Sequence, residues 1–457
     1  MAALATAAPL TVVLCLTIWH TPFPISEAVA NFEDAASPRV WEIFLPTRAY
    51  YRPIYQFLLA MIWQHGGTLD TRLATIKLMH VVPVALLVVL LVRYLRPRTM
   101  VDAAAATLAT AVLLGSPGFR DNLEIPLSYT IVGMPILLYL WMLVHQAPRR
   151  WHVPVAALLA IVAIGFKEQG LIVLPVVLVA WWTRAPGATR GMAITMTAIG
   201  VAYVALRLYG RSHWSPFEQS IGFGFSELQP SEAVARFGTL PLWIYAYNGA
   251  STIANVLFSD PTRGIFRVVK HVTEGGVEAW EIVEVASATA MTGVIAWWGT
   301  RALRAAVRDG WSEDSRVAVA LAVALLASGV LSFNYSRDRL GGMALVLYAI
   351  AAYLAARHAA ARAAVAGRLR FASTAALLML LAAAWQIRAV ATVELARVTS
   401  ARNQMEWLDD LVERRIDFAD RPVYLDIMRQ MADRGANPDA PMQTRYPDWI
   451  SRTLGLP

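Results

Sequence analysis

Cysteine is nearly absent from this chain: of 457 residues only Cys15 carries a thiol, which excludes an intrachain disulfide and a cysteine-built zinc site. Charge is also scarce, at 16% of residues, while 57% are hydrophobic and the mean hydropathy is +0.48. A soluble globular domain carries about a quarter charged residues, so that class is excluded. Missing too are a phosphate-cradling glycine loop, a Ser-His-Asp arrangement and a histidine cluster at metal-ligand spacing. No internal repeat runs through the chain, and its only biased stretches are alanine-rich.

What the chain has instead is a succession of apolar runs, each about 17–22 residues at full length, the reach needed to cross a hydrocarbon core of ~30 Å. They predict an all-α fold, a polytopic transmembrane bundle of about 11 spans. The spans fall near 4–20, 72–95, 100–115, 129–146, 153–166, 170–182, 191–209, 279–299, 316–333, 339–356 and 371–388. With the N-terminus inside, the arginine-rich loops 93–98, 145–152, 183–190, 301–316 and 357–370 all face one side, as the positive-inside rule requires. The net charge of +8 is thus spent on orientation in a lipid bilayer, and no nucleic-acid partner is expected. Ala28-Val29-Ala30 has the small-residue pattern of a signal-peptidase site, but no Lys or Arg precedes the apolar run.

Residues 1–391 read as the transmembrane domain, with a first outer loop at about 21–71 and an outer segment at about 210–278. Residues 52–66 and 231–257 are apolar but break the loop parity if counted as spans, so both are expected to lie at the outer face. Residues 392–457 form a short polar helical tail on the same side, with Met405, Trp407, Leu408, Leu411 and Val412 on one stripe. The expected location is the cell (inner or plasma) membrane, with the chemistry on its extracytoplasmic side.

Four groups of residues in the outer segments can carry chemistry. Glu33 and Asp34 are adjacent carboxylates, whose mutual repulsion raises one pKa and suits one group to act as a base. The same pair would hold a divalent cation, or simply cap a helix. Arg52 follows Tyr51 and precedes Pro53, which opens a helix at its first position; an arginine there faces a phosphate or snorkels to the interface. Lys167 and Glu168 interrupt an apolar run of about 30 residues, and a charge at mid-bilayer costs ~3 kcal/mol. A hairpin of two short helices with its turn in a polar cavity avoids that cost, the two charges serving a ligand or each other. In the turn Asn334–Arg339, Arg337 and Arg339 oppose the inward charge bias, so they bind an anion or pair with Asp338. His80 sits inside the second span as a buried supporting residue, and Arg120, Asp121 and Glu124 form a further outer turn.

In this order and on one side, these pieces resemble the GT-C-type membrane glycosyltransferases, the superfamily of the protein O-mannosyltransferases and lipid A aminoarabinose transferases. The resemblance runs over roughly residues 1–360. It is carried by Glu33-Asp34 in the first outer loop, YYRPIYQFLLAMIWQHGG, TIKLMHVVPVALLVVLLVRYL, AIGFKEQGLIVLPVVLVAWW, WIYAYNGASTIANVLFSD and FNYSRDRLGGMALVLYAIAAYLA. The acidic pair reads Glu-Asp where Asp-Asp or Asp-Glu is usual, and Arg-Pro-Ile stands where several branches have Lys or His before Pro-Pro.

The resemblance implies transfer of a sugar from a polyprenyl-phosphate donor to a hydroxyl acceptor of unspecified class, by inverting displacement. Glu33 or Asp34 would be the base, with Arg52, Lys167, Arg337 and Arg339 on the donor phosphate. Tyr51, Glu168, Asp338 and His80 would support them. No cofactor is required by this scheme beyond a divalent cation on Glu33 and Asp34, which the sequence neither demands nor excludes. Two other classes compete: a transporter or flippase for a lipid-linked or anionic solute, and a non-catalytic membrane assembly subunit. A transporter built from duplicated halves would show a second broken helix matching 167–170, and the sequence has none.

Overall fold

A computed structural model describes residues 11–19, 21, 31–32, 35–36, 40–45, 51–124, 131–210, 221–223, 226–238, 242–259, 265–412, 426 and 429. Within these the chain is a helical bundle. A helical stretch at 11–19 precedes α1 (Pro53–His65), α2 (Leu69–Leu95), α3 (Met100–Leu114), α4 (Pro117–Glu124) and α5 (Gly133–Val144). Then come α6 (His152–Phe166), a 3-10 turn at Glu168–Ile172, α7 (Val173–Trp182) and α8 (Arg190–Gly210). After a hairpin follow α9 (Pro230–Phe237), α10 (Leu242–Phe258), α11 (Ile265–Glu274), α12 (Ala279–Asp309), α13 (Glu313–Leu331), α14 (Gly342–Ala366) and α15 (Arg368–Val412).

By length and composition, six helices among the described residues can cross a membrane: Leu69–Leu95, Arg190–Gly210, Ala279–Asp309, Glu313–Leu331, Arg339–Ala366 and Arg368–Ser400. Four shorter apolar helices, Met100–Leu114, Gly133–Val144, His152–Phe166 and Glu168–Trp182, stand at other positions where the sequence reads as a span. The 12-residue α5 is only ~18 Å long, but it is buried almost throughout, so it has no lipid boundary to match. It packs beside α14, whose residues 342–353 are all buried. These two helices form the axis of the core.

Local chemistry sets the helix ends. Thr99 and Asp102 form a reciprocal capping box at α3, and the Ser312 hydroxyl accepts the Ser315 N–H at α13 (3.3 Å). Pro53 occupies the first turn of α1, where its missing N–H costs nothing.

The loops sort to two ends. At one end, Arg316 donates to the carbonyls of Thr183 (3.1 Å) and Arg184 (3.2 Å), and the Gly187 N–H donates to Val144 O (2.8 Å). Arg357 pairs with Asp102 there (3.1 Å). All five arginine-rich loops lie at this end. At the opposite end, Asn248 of α10 donates to Gly222 O (2.9 Å) and Phe333 O (3.1 Å), joining α10 to the turn that follows α13.

Several elements differ from the sequence reading. The all-α fold carries one short addition: β1 (Ile221–Phe223) and β2 (Ser226–Leu228) pair antiparallel, with Gly222 opposite Glu227. Residues 231–257 are not one segment, because Gly238, at φ +83°, separates α9 from α10. Two of the arginine loops are mostly helix: α12 continues to Asp309 and α14 to Ala366, each stopped by a glycine at positive φ, Gly310 and Gly367. The single turn at Gly367 leads into α15, which runs without a break through 391 to Val412.

A buried cation braces α15. Arg388 stacks over the Trp385 ring (3.8 Å) and donates to Ser287 Oγ (2.9 Å), Glu284 O (3.0 Å) and Ser259 Oγ. It ties α15 to α12 and to the end of α10.

Candidate functional site

The site begins with two glycines. The turn after α6 folds back so tightly that a Cβ on Gly170 would collide with the Ala163 backbone. Only glycine closes this hairpin, which halts the apolar run at Lys167 and puts Glu168 at the head of the 3-10 turn. Five residues before Gly170, a Cβ on Gly165 would lie 2.6 Å from the Ile54 side chain. Its absence lets the first turn of α1 rest directly on the end of α6.

That contact brings together two motifs 117 residues apart in sequence. The Tyr51 N–H donates to Glu168 Oε1 (3.2 Å), and Arg52 Nε lies 3.7 Å from Glu168 Oε2. Both Arg52, at 9% exposure, and Lys167, at 6%, are buried. The sequence left a Lys167–Glu168 pair open; Glu168 also faces Arg52, supplied by another segment. The Tyr51 hydroxyl donates to Phe44 O (3.3 Å), and burial pushes its pKa up against the opposing pull of Arg207.

Arg207 and Tyr203, both from α8, complete the cluster. The Arg207 guanidinium sits 5.8 Å from the centre of the Tyr51 ring, and Tyr203 is within electrostatic reach of Glu168, Arg207, Tyr51 and Arg52. Sequence reasoning missed both. Arg207 did carry a signal: it stands at the end of its span opposite the arginine-rich loops, the same departure that drew attention to Arg337.

Arg337 and Arg339 form a second cluster. Arg337 Nε donates to Tyr335 Oη (2.7 Å) with its guanidinium 5.0 Å from that ring's centre, and Arg339 Nη2 reaches the same hydroxyl (3.5 Å). Gly222 of the hairpin makes room for Tyr335, since a Cβ there would be 2.7 Å from the ring. The side chain of Asp338 lies outside the described residues. His80 is fully buried and within reach of the Asn122 backbone, apart from both clusters.

Glu33 and Asp34 also lie outside the described residues. On either side of them, Phe32 and Ala35 are buried, and Phe32 stacks on Trp63 of α1 at 4.9 Å, on the same helix that Arg52 opens. Among the described residues no group of three or more His, Cys, Asp or Glu side chains is arranged to hold a metal ion.

The Arg52–Glu168 cluster offers guanidinium donors beside a fixed carboxylate and buried tyrosines. Such a surface binds a phosphate or carboxylate and orients it through forked hydrogen bonds. No protein-family model, curated protein or solved structure matches this chain.

Proposed function

We propose that this protein is a glycosyltransferase of the GT-C type. It moves a sugar from a polyprenyl-phosphate donor to a hydroxyl acceptor at the outer face of the cell membrane. In this reading about eleven spans cross the bilayer, the arginine-rich end of the bundle is cytoplasmic and the Arg52–Glu168 cluster is extracytoplasmic. The juxtamembrane helix α1 lies at that outer surface.

The observation that carries the reading is the junction of Arg52 with Glu168. It joins the basic-Pro motif and the Lys-Glu turn at the end of the bundle opposite the arginine-rich loops. Lys167 is buried next to it in sequence, and Arg207 approaches from α8. A cationic site at a membrane face suits a leaving group whose phosphate is tethered to a lipid tail.

The chemistry is a single displacement. Asp34 or Glu33 removes the proton from the acceptor hydroxyl as its oxygen attacks the anomeric carbon. The bond from that carbon to the phosphate oxygen breaks, and the electron pair leaves on the lipid phosphate. Arg52, held in orientation by Glu168, stabilises the charge that develops there, with Lys167 and Arg207 contributing to the field. Arg337 and Arg339 act on the donor from the second cluster.

The test is sugar transfer by purified full-length protein from a panel of radiolabelled polyprenyl-phosphate sugars to membrane extract. Asp34→Asn and Glu33→Gln are assayed beside wild type. Label reaching an acceptor with wild type, and lost in one variant, identifies the activity and its base. Equal transfer by wild type and both variants would remove the carboxylate mechanism.

A further inference from the structure

A cavity of about 520 Å³ opens at the arginine-rich end of the bundle, remote from the Arg52–Glu168 cluster. Its volume falls within the roughly 300–1,000 Å³ range of small-molecule sites. Four arginines line it: Arg96, Arg98, Arg316 and Arg357. The carboxylates in the wall are Asp102 and Glu313, and both are already engaged. Asp102 takes Arg357 (3.1 Å) and the N–H groups of Arg98 (3.2 Å) and Thr99 (3.0 Å), while Glu313 accepts from the Tyr94 hydroxyl (2.7 Å). Arg316 spends its guanidinium on backbone carbonyls and meets no carboxylate among the described residues.

His145 supplies the second observation. Its Nδ1 donates to Trp141 O (2.8 Å), so in the neutral ring Nε2 is the acceptor. That Nε2 is closed off from solvent and has no hydrogen-bond partner among the described residues, so the ring serves as part of the wall. The wall around it is stiff: Trp141 Nε1–H donates to Tyr94 Oη (3.1 Å), and Gly187 packs against the Leu143 carbonyl, where a Cβ would come within 2.7 Å.

The backbone at the rim adds a third. Arg96 caps α2 in the left-handed region, at φ 44°, where glycine is the easier residue. A cation at a helix C-terminus is favourable for the dipole, but that alone calls for no strained arginine. Its side chain and that of Arg98 are exposed and form no ion pair among the described residues.

The geometry points to a phosphate-binding site at this end of the bundle, with Arg96 and Arg98 on the phosphate oxygens and Arg316, held by the Thr183 and Arg184 carbonyls, adding positive charge to the wall. Several guanidinium groups around one polar cavity match a many-oxygen anion better than a single carboxylate. The phosphate belongs either to an anionic phospholipid headgroup, which collects at juxtamembrane basic clusters, or to a soluble phosphate. This site is independent of the outer-face reaction and survives if that reading fails.

The experiment titrates purified full-length protein in detergent with phosphatidylglycerol, with phosphatidylcholine and, separately, with inorganic pyrophosphate. Binding is followed by native mass spectrometry for wild type, Arg96→Gly and Arg96→Gly/Arg98→Gln, with thermal unfolding recorded on each. Arg96→Gly removes the charge and relieves the backbone, so its unfolding temperature should hold or rise while binding weakens. Retention of phosphatidylglycerol over phosphatidylcholine, at least ten-fold weaker in the double variant, supports the site and names a lipid. Pyrophosphate binding with the same loss supports it and names a soluble phosphate. Affinities for both anions that are equal in wild type and the double variant, or no binding of either, overturn it.

Discussion

Arg52 and Glu168 meet across the junction of α1 and the α6 hairpin, with Arg52 Nε 3.7 Å from Glu168 Oε2 and the Tyr51 N–H clamping the other carboxylate oxygen. The carboxylate therefore acts as an orienter: one oxygen fixes the backbone that precedes α1 and the other faces the guanidinium. Removing its charge should loosen both.

Glu168→Gln keeps the volume and loses the charge. The two side chains are 11% and 24% exposed, so the loss should fall below the ~3–5 kcal/mol of a fully buried pair, at about 1–2 kcal/mol. Thermal unfolding in detergent reads it. Under the proposed function, transfer should fall roughly ten-fold, about 1.4 kcal/mol in the barrier, and Arg52→Gln should cost more because it removes the group facing the phosphate. Unchanged stability together with unchanged transfer in Glu168→Gln would show that the pair orients nothing.

Gly170→Ala should be among the most damaging alanine substitutions in the chain. Its Cβ has the Ala163 backbone in its way, and backbone cannot move aside as a flexible side chain does. A cost at or above the ~1–3 kcal/mol of overpacking is expected. Gly293→Ala in α12 is the control: nothing lies within 4 Å of its Cβ, and replacing a mid-helix glycine should gain about 0.5–1 kcal/mol. Expression and unfolding temperature should move in opposite directions for the two.

Arg388→Lys keeps the charge and loses the fork. An ammonium cannot stack flat on Trp385 while donating to Ser287, Ser259 and the Glu284 carbonyl. The expected loss is about 1–3 kcal/mol, the range for leaving buried polar partners unsatisfied. A Lys variant as stable as wild type would mean that charge alone braces α15.

Sidedness is checked by labelling. Cys15 is the only native thiol, so Cys15→Ala gives a clean background. Tyr209, 84% exposed at the far end of α8, and the exposed Arg308 at the arginine-rich end are each replaced by cysteine. A membrane-impermeant maleimide on intact cells should label Tyr209→Cys and spare Arg308→Cys. The reverse pattern would put the Arg52–Glu168 cluster in the cytoplasm and end the outer-face proposal.

The apolar segments were readable because each is long and uninterrupted, and ten of those expected are helices where the sequence placed them. The break at Lys167 was readable for the opposite reason: two adjacent charges in an apolar run have few tolerable positions. Its partner was not. Nothing local to Glu168 says that Gly165 will admit Ile54 and bring Arg52 alongside, because that depends on a contact between distant segments. The helical character of the tail after the last span was present in the sequence, and α15 joins the two. No glycine or proline occurs from Arg368 to Val412, so the helix has no reason to stop where hydropathy falls. The hairpin at 221–228 left no comparable mark, being too short for an alternating pattern to register.

The 45-residue α15 has a mechanical consequence. At 1.5 Å per residue it is ~68 Å long, about twice the hydrocarbon thickness. It is pinned at Arg388, and the part from there to Val412 alone measures ~36 Å. Ala391, Thr392, Ala396 and Ser400 are buried, so the helix stays packed at least as far as Ser400, and a rod so held is a spacer. It fixes where the chain beyond Val412 begins, at a set distance from the layer of Arg388, Ser259 and Ser287, whatever that last segment goes on to meet.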